Sequence, residues 1–129
     1  MKHIKTYSQL NESETSRDKV NAAESFLEDF ITSLSEDDDY GSMSFTTDSN
    51  PAEGEYILDN EKNMEDGYNV WVEFKPTKRT FEKLKHDLET DYNKCDLVVK
   101  FEKKVKEKGW DATVANTSDT IILSVEGVN

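Results

Sequence analysis

Apolar residues occupy every second position from Tyr68 to Phe74 (Tyr68, Val70, Val72, Phe74), with Asn69, Trp71 and Glu73 between them. A period of two puts alternate side chains on opposite faces of an extended chain, so the segment predicts a strand with one buried face. Pro76 lacks the N–H that a ladder needs and ends the strand. Beyond it the period changes. Phe81, Leu84, Leu88, Tyr92, Cys95 and Val99 recur at helical spacing, and Val98, Phe101 and Val105 carry the pattern to Lys108. A chain that passes from period two to period 3.6 across one proline is built to lay helices on a sheet.

The helical stretch has plausible ends. Thr77 or Thr80 opens it, and Gly109 stops it, with Lys103, Lys104, Lys106 and Lys108 near the negative end of the helix dipole. A run of about 29 residues is long for one helix in a small domain, so a break is expected near Asn93. Trp110 to Ala115 and Thr120 to Val125 then predict a hairpin across Asn116–Asp119. In its second strand Ile121, Leu123 and Val125 share a face and Ile122 takes the other.

Toward the amino terminus, Val20, Ala23, Leu27, Phe30 and Leu34 form an apolar stripe widened by Phe26 and Ile31. This predicts a core-facing helix over 17–35, capped by Thr15 or Ser16, with Asp18 in its first turn. Two heptads are too few for a coiled coil. Asn11 to Arg17 reads as a polar linker. Glu36–Asp39 places acids where they oppose the helix dipole and closes the helix. Met43, Phe45 and Thr47 alternate as a strand, 48–54 is turn chemistry, Glu55–Leu58 is a short strand, and 59–67 reads as a charged loop. The expected architecture is α+β: an antiparallel sheet of about five strands with two or three helices on one face, in the order α-β-β-β-α-β-β. Residues 1–16 form a basic leader and linker, and 17–129 a single α+β domain.

The chain has 129 residues and one cysteine, Cys95, so one domain with a full core is expected, without an internal disulfide. No apolar run approaches the roughly 20 residues of a membrane span. The net charge of −12 is uneven. Residues 1–11 carry +2, residues 12–66 carry 17 acids against 3 bases, and residues 67–129 carry 11 of each. The acidic half repels nucleic acid and anionic membranes and favours a basic protein surface. Its plainer role is solubility.

Residues of catalytic type are few. His3 lies in the leader and His86 lies off the apolar stripe of its helix, as a surface residue would. Cys95 lies on the apolar stripe, which predicts a buried thiol rather than a nucleophile. Asp37, Asp38 and Asp39 are consecutive and point in different directions. The stretch Asp59, Glu61, Asn63, Glu65 alternates, but Met64 occupies the position where a calcium loop requires glycine. No phosphate loop, GxGxxG, CxxC, GxSxG or HExxH occurs. No catalytic residue, metal or cofactor is therefore assigned. The partner-binding candidates are Glu36, Asp37, Asp38, Asp39 and Trp71. Trp71 falls on the strand face that helices on one side would leave open, unless a loop or second subunit covers it. A sheet edge is a further route to a partner, through strand addition.

The first twelve residues, Met1 to Glu12, stand apart. Lys2 and Lys5 precede any acid, and Ile4, Tyr7 and Leu10 recur at three-residue spacing. The segment opens Met-Lys, carries an aromatic at Tyr7, and ends in Leu10-Asn11-Glu12. In this it resembles the amino-terminal leaders of small internal and accessory proteins of large tailed bacteriophages. The match covers about a tenth of the chain, and Tyr7 stands where phenylalanine is commoner. The resemblance implies that the leader directs the protein into a prohead and that a prohead protease cuts after Glu12, with Leu10 as the apolar determinant.

Together these readings predict a non-enzymatic phage-type accessory protein, packaged or injected, whose acidic domain binds a protein partner rather than nucleic acid or membrane. Its place would be the host cytoplasm or the virion. An acidic mimic of nucleic acid that inhibits a host nucleic-acid enzyme is the first alternative, and a small enzyme with an unrecognised site is the second.

Overall fold

A computed structural model describes residues 2–63 and 67–129, and the side chains of 17–63 and 67–129. The elements are α1 (Lys2–Ser35), β1 (Ser44–Phe45), β2 (Glu55–Asn63), β3 (Gly67–Phe74), α2 (Lys78–Thr90), a 3₁₀ turn (Tyr92–Lys94), α3 (Asp96–Glu107), β4 (Asp111–Asn116) and β5 (Ile121–Val128). The strands form one five-stranded sheet in the order β1-β2-β3-β5-β4. The fold is α+β, with the helices on one face.

The alternation seen around Tyr68–Phe74 sets the layers. Val70, Val72 and Phe74 on β3 and Ile121, Leu123 and Val125 on β5 are each fully buried. They pack under Ala23, Leu27, Phe30 and Ile31 of α1 and Val98, Phe101 and Val105 of α3. Phe101 is the aromatic hub of the helical layer, with Phe30 at 5.1 Å edge-on and Phe26 at 6.3 Å. Thr77 caps α2 by accepting the Thr80 N–H. The long helical stretch breaks at the 3₁₀ turn, so Leu84 and Phe101 reach the core from separate helices. Gly109, at φ +79°, ends the layer, with its N–H on the Lys106 carbonyl at 2.9 Å.

Several expectations need correction. The helix expected over 17–35 is longer, and the backbone of 11–17 is helical, because α1 runs unbroken from Lys2 to Ser35. No glycine or proline lies between those residues, and polar side chains alone do not stop a helix. The 59–67 loop is mostly strand: β2 continues to Asn63, and Asn63 pairs with Gly67. Its charged residues lack an apolar alternation, but the ladder to β3 holds them extended. The first strand shrinks to Ser44–Phe45 and pairs with β2 in parallel, so the sheet is mixed at that edge and antiparallel elsewhere. Its direction follows from the turn at 48–54, where Gly54 adopts φ +82° and donates its N–H to the Lys75 carbonyl. The chain thus enters β2 from beyond its start.

Candidate functional site

The helices leave the second face of the sheet open. Strand register assembles it row by row. Asp59, Trp71, Ser124 and Thr113 stand side by side on β2, β3, β5 and β4. The next row is Ile57, Glu73, Ile122 and Ala115. Trp71 is half-buried at the middle of this surface, on the strand flanked by β2 and β5. It belongs neither to the core cluster under the helices nor to the partly buried residues packed against that cluster. Of the 59–67 segment, one of the two covers that the sequence left open for Trp71, residues 59–63 are part of β2 and 64–66 lie outside the described residues.

Around this apolar centre the charge has one sign. Asp59 and Glu61 come from β2, Glu73 from β3, Asp111 from β4 and Glu126 from β5. Lys75, one residue beyond β3, is paired with Asp119 at 3.2 Å. Glu73 is fixed by the Thr120 hydroxyl, which donates to its Oε2 at 2.8 Å. The Thr113 hydroxyl donates to Glu126 Oε1 at 3.2 Å. These bonds hold the carboxylates in place. Near Asn69 the β3–β5 register shifts, and the Asn69 Oδ1 is buried with no hydrogen-bond partner among the described residues. A group left so costs about 1–3 kcal/mol.

The acidic turn lies elsewhere. Leu34 and Asp37 carbonyls accept the N–H groups of Asp37 and Tyr40 at 3.0 and 3.1 Å, which winds 36–40 into a tight turn after α1. Asp37 Oδ1 accepts the Asp39 N–H at 2.9 Å. The Thr80 hydroxyl donates to the Asp39 carbonyl and ties the turn to α2. Asp37, Asp38 and Asp39 line a cleft of about 680 Å³ between α1, α2 and α3. Arg79, Lys83, Lys94, Lys100 and Lys104 line the same cleft, so its charge is mixed. Glu36 is exposed and does not line it. Tyr40 packs on Phe74 at 6.3 Å, on the helix side of the sheet. Burial raises its hydroxyl pKa, as do Cys95, Asp37, Asp39 and Asp96. The sequence candidates therefore form two separate surfaces, with the acidic turn in the helical layer and Trp71 on the opposite face of the sheet.

Sequence reasoning missed the neighbours that complete the Trp71 surface. Ile57 sits in a strand too short to show alternation, and Asp59 and Glu61 sit in what reads as a loop. Ile122 was visible as the odd residue of β5. Leu10 and Glu12 have side chains outside the described residues. His86 is exposed and Cys95 is buried. Among the described residues no three His, Cys, Asp or Glu side chains converge as metal ligands, and no helix is long and apolar enough to cross a membrane. No family model, curated protein or solved structure matches the chain.

Proposed function

We propose that this is a non-enzymatic accessory protein whose open sheet face binds a basic, partly apolar surface on a protein partner. One observation carries the reading: a half-buried tryptophan on a helix-free face, ringed by carboxylates. Tryptophan gives large contact area at small entropic cost, and a one-sign rim steers a partner of opposite charge. A photo-crosslinking residue at position 71, introduced in the native host, tests this. It should trap one defined protein that an equivalent residue at Val99, on the helical side, does not. Equal labelling from both positions would sink the reading.

The amino-terminal resemblance supports a phage setting in which the protein is packaged or injected, with Leu10 and Glu12 marking the cut. Its test is the intact mass of the protein from its native source. A species beginning at Ser13 supports packaging, and a full-length species in purified virions speaks against processing.

A second reading, an acidic mimic of nucleic acid, draws on the four exposed acids Glu36–Asp39 and the surplus over 12–66. It requires salt-sensitive binding to a basic nucleic-acid enzyme that disappears when Glu36–Asp39 are neutralised. The mixed charge of the cleft weighs against it.

A further inference from the structure

We infer that the outer edge of β2, from Leu58 to Lys62, is a strand-addition site for an extended basic segment of the protein partner. This deepens the protein-binding reading above and rests on it.

The edge is defined by what stops beside it. β1 covers only Glu55 and Tyr56, and the Thr46 N–H donates to the Tyr56 carbonyl at 2.9 Å. The chain then turns away. The Asp48 N–H goes to Thr46 Oγ1 at 3.2 Å, and the Asn50 N–H to Asp48 Oδ1 at 3.1 Å. Beyond Tyr56, β2 runs on to Asn63 with β3 on one side and no described strand on the other.

Which backbone groups point outward follows from the ladder. The Lys75 N–H donates to the Glu55 carbonyl at 3.1 Å. With a period of two, Ile57, Asp59 and Glu61 therefore aim their backbone groups at β3, and Leu58, Asn60 and Lys62 aim theirs outward. The Asn60 N–H is taken by Asp59 Oδ1 at 2.8 Å. The N–H and C=O of Leu58 and Lys62, and the Asn60 carbonyl, meet no partner among the described residues. Such a row is a template for a further strand. On the opposite edge, one N–H of β4, that of Val114, is taken by the Tyr92 hydroxyl.

Charge selects the occupant. Asp59 and Glu61 are exposed on the open-face side of this edge. A second copy pairing antiparallel about Asn60 would set Asp59 against the Glu61 of its partner twice over, and like charges directly opposite destabilise a sheet. Lysine or arginine at alternate positions of an added strand meets the same carboxylates favourably. The intervening residues lie over half-buried Leu58, beside Phe45, which is 52% exposed and stands edge-on to Tyr56 at 5.7 Å. Small apolar side chains suit that side. The segment is a basic/apolar alternation of about five residues, roughly 17 Å long.

The experiment uses the full chain, ¹⁵N-labelled, with a blocked Lys-Val-Lys-Val-Lys-Val peptide as probe and amide hydrogen exchange as readout. With peptide at about ten times its Kd, exchange at Leu58 and Lys62 should slow about tenfold, while Asp59 and Glu61, already bonded to β3, hardly change. Lys62→Pro removes an outward donor and fills the edge without removing a β2–β3 bond, so it should abolish the slowing. Trp71→Ala should leave it intact. Should Lys62→Pro fail to fold, Asp59→Asn with Glu61→Gln serves instead and should weaken binding and its salt dependence. Absence of slowing at Leu58 and Lys62 overturns the inference. Slowing that survives Lys62→Pro but is lost in Trp71→Ala also overturns it, while leaving the face reading standing. Slowing without peptide that grows with protein concentration overturns it in favour of self-pairing.

Discussion

The Tyr92 hydroxyl accepts the outward backbone N–H of Val114 at 3.0 Å, so the 3₁₀ turn between α2 and α3 caps the middle of the β4 edge. Tyr92→Phe keeps the ring and removes the acceptor. Leaving a part-buried N–H unpaired costs about 1–2 kcal/mol. Thermal unfolding should show that loss, and an unchanged Tm would contradict it.

Gly67 opens β3 at φ +92°, and a Cβ there would overlap the Val128 carbonyl oxygen and stand 2.6 Å from Asn129 Cβ. Gly67→Ala therefore strains the backbone and pushes the end of β5 away. The backbone term alone is about 1–3 kcal/mol. The expected result is a lower Tm with faster amide exchange at Val128, and an unchanged Tm would contradict it.

Tyr40 links pH to stability. The folded protein raises its pKa above the ordinary 10.0, chiefly through burial, then through Cys95, Asp37, Asp39 and Asp96. The folded state thus holds the phenol proton more tightly than the unfolded chain. Its contribution is complete below pH 10.0 and is lost as pH rises toward the folded-state value. Tyr40→Phe cannot ionise and keeps the packing on Phe74. Its Tm should fall less steeply than that of the wild type above about pH 10. Parallel curves would show that another group governs alkaline unfolding.

Glu24 sits one helical turn before Glu28, and its pKa is raised by burial first, then by Glu28 and Asp59. The stability tied to its proton is present below 4.5 and is lost as pH rises beyond the folded-state value. Glu24→Gln removes the repulsion at neutral pH. Solvent screening keeps the gain to about 0.2–0.5 kcal/mol. Chemical denaturation at pH 7 should shift upward slightly, and the difference from wild type should vanish in acid.

Much of the layered plan was legible because burial repeats with the period of the backbone. Val70, Val72 and Phe74 announced the central strand, and Leu84 through Phe101 announced helices too long to run unbroken. What escaped notice depends on partners distant in sequence. Asp59–Asn63 are strand only because β3 offers a ladder to residues with no apolar pattern of their own. The helix over 11–17 shows that polar composition resembles a linker without imposing one. The candidate surface was half legible. Trp71 was found from alternation, but its separation from Asp37–Asp39 is a matter of which layer each joins, which no local pattern encodes.

Cys95 closes the 3₁₀ turn at 4% exposure, between α2 and α3, beside the cleft that the acidic turn borders. As the only thiol in the chain, it provides a built-in clock. A thiol reagent in excess reacts only when this junction parts, so the labelling rate measures how often the helical layer opens, without any engineered probe. Comparing that rate with global unfolding would show whether the layer opens as one piece or α2 lifts away first.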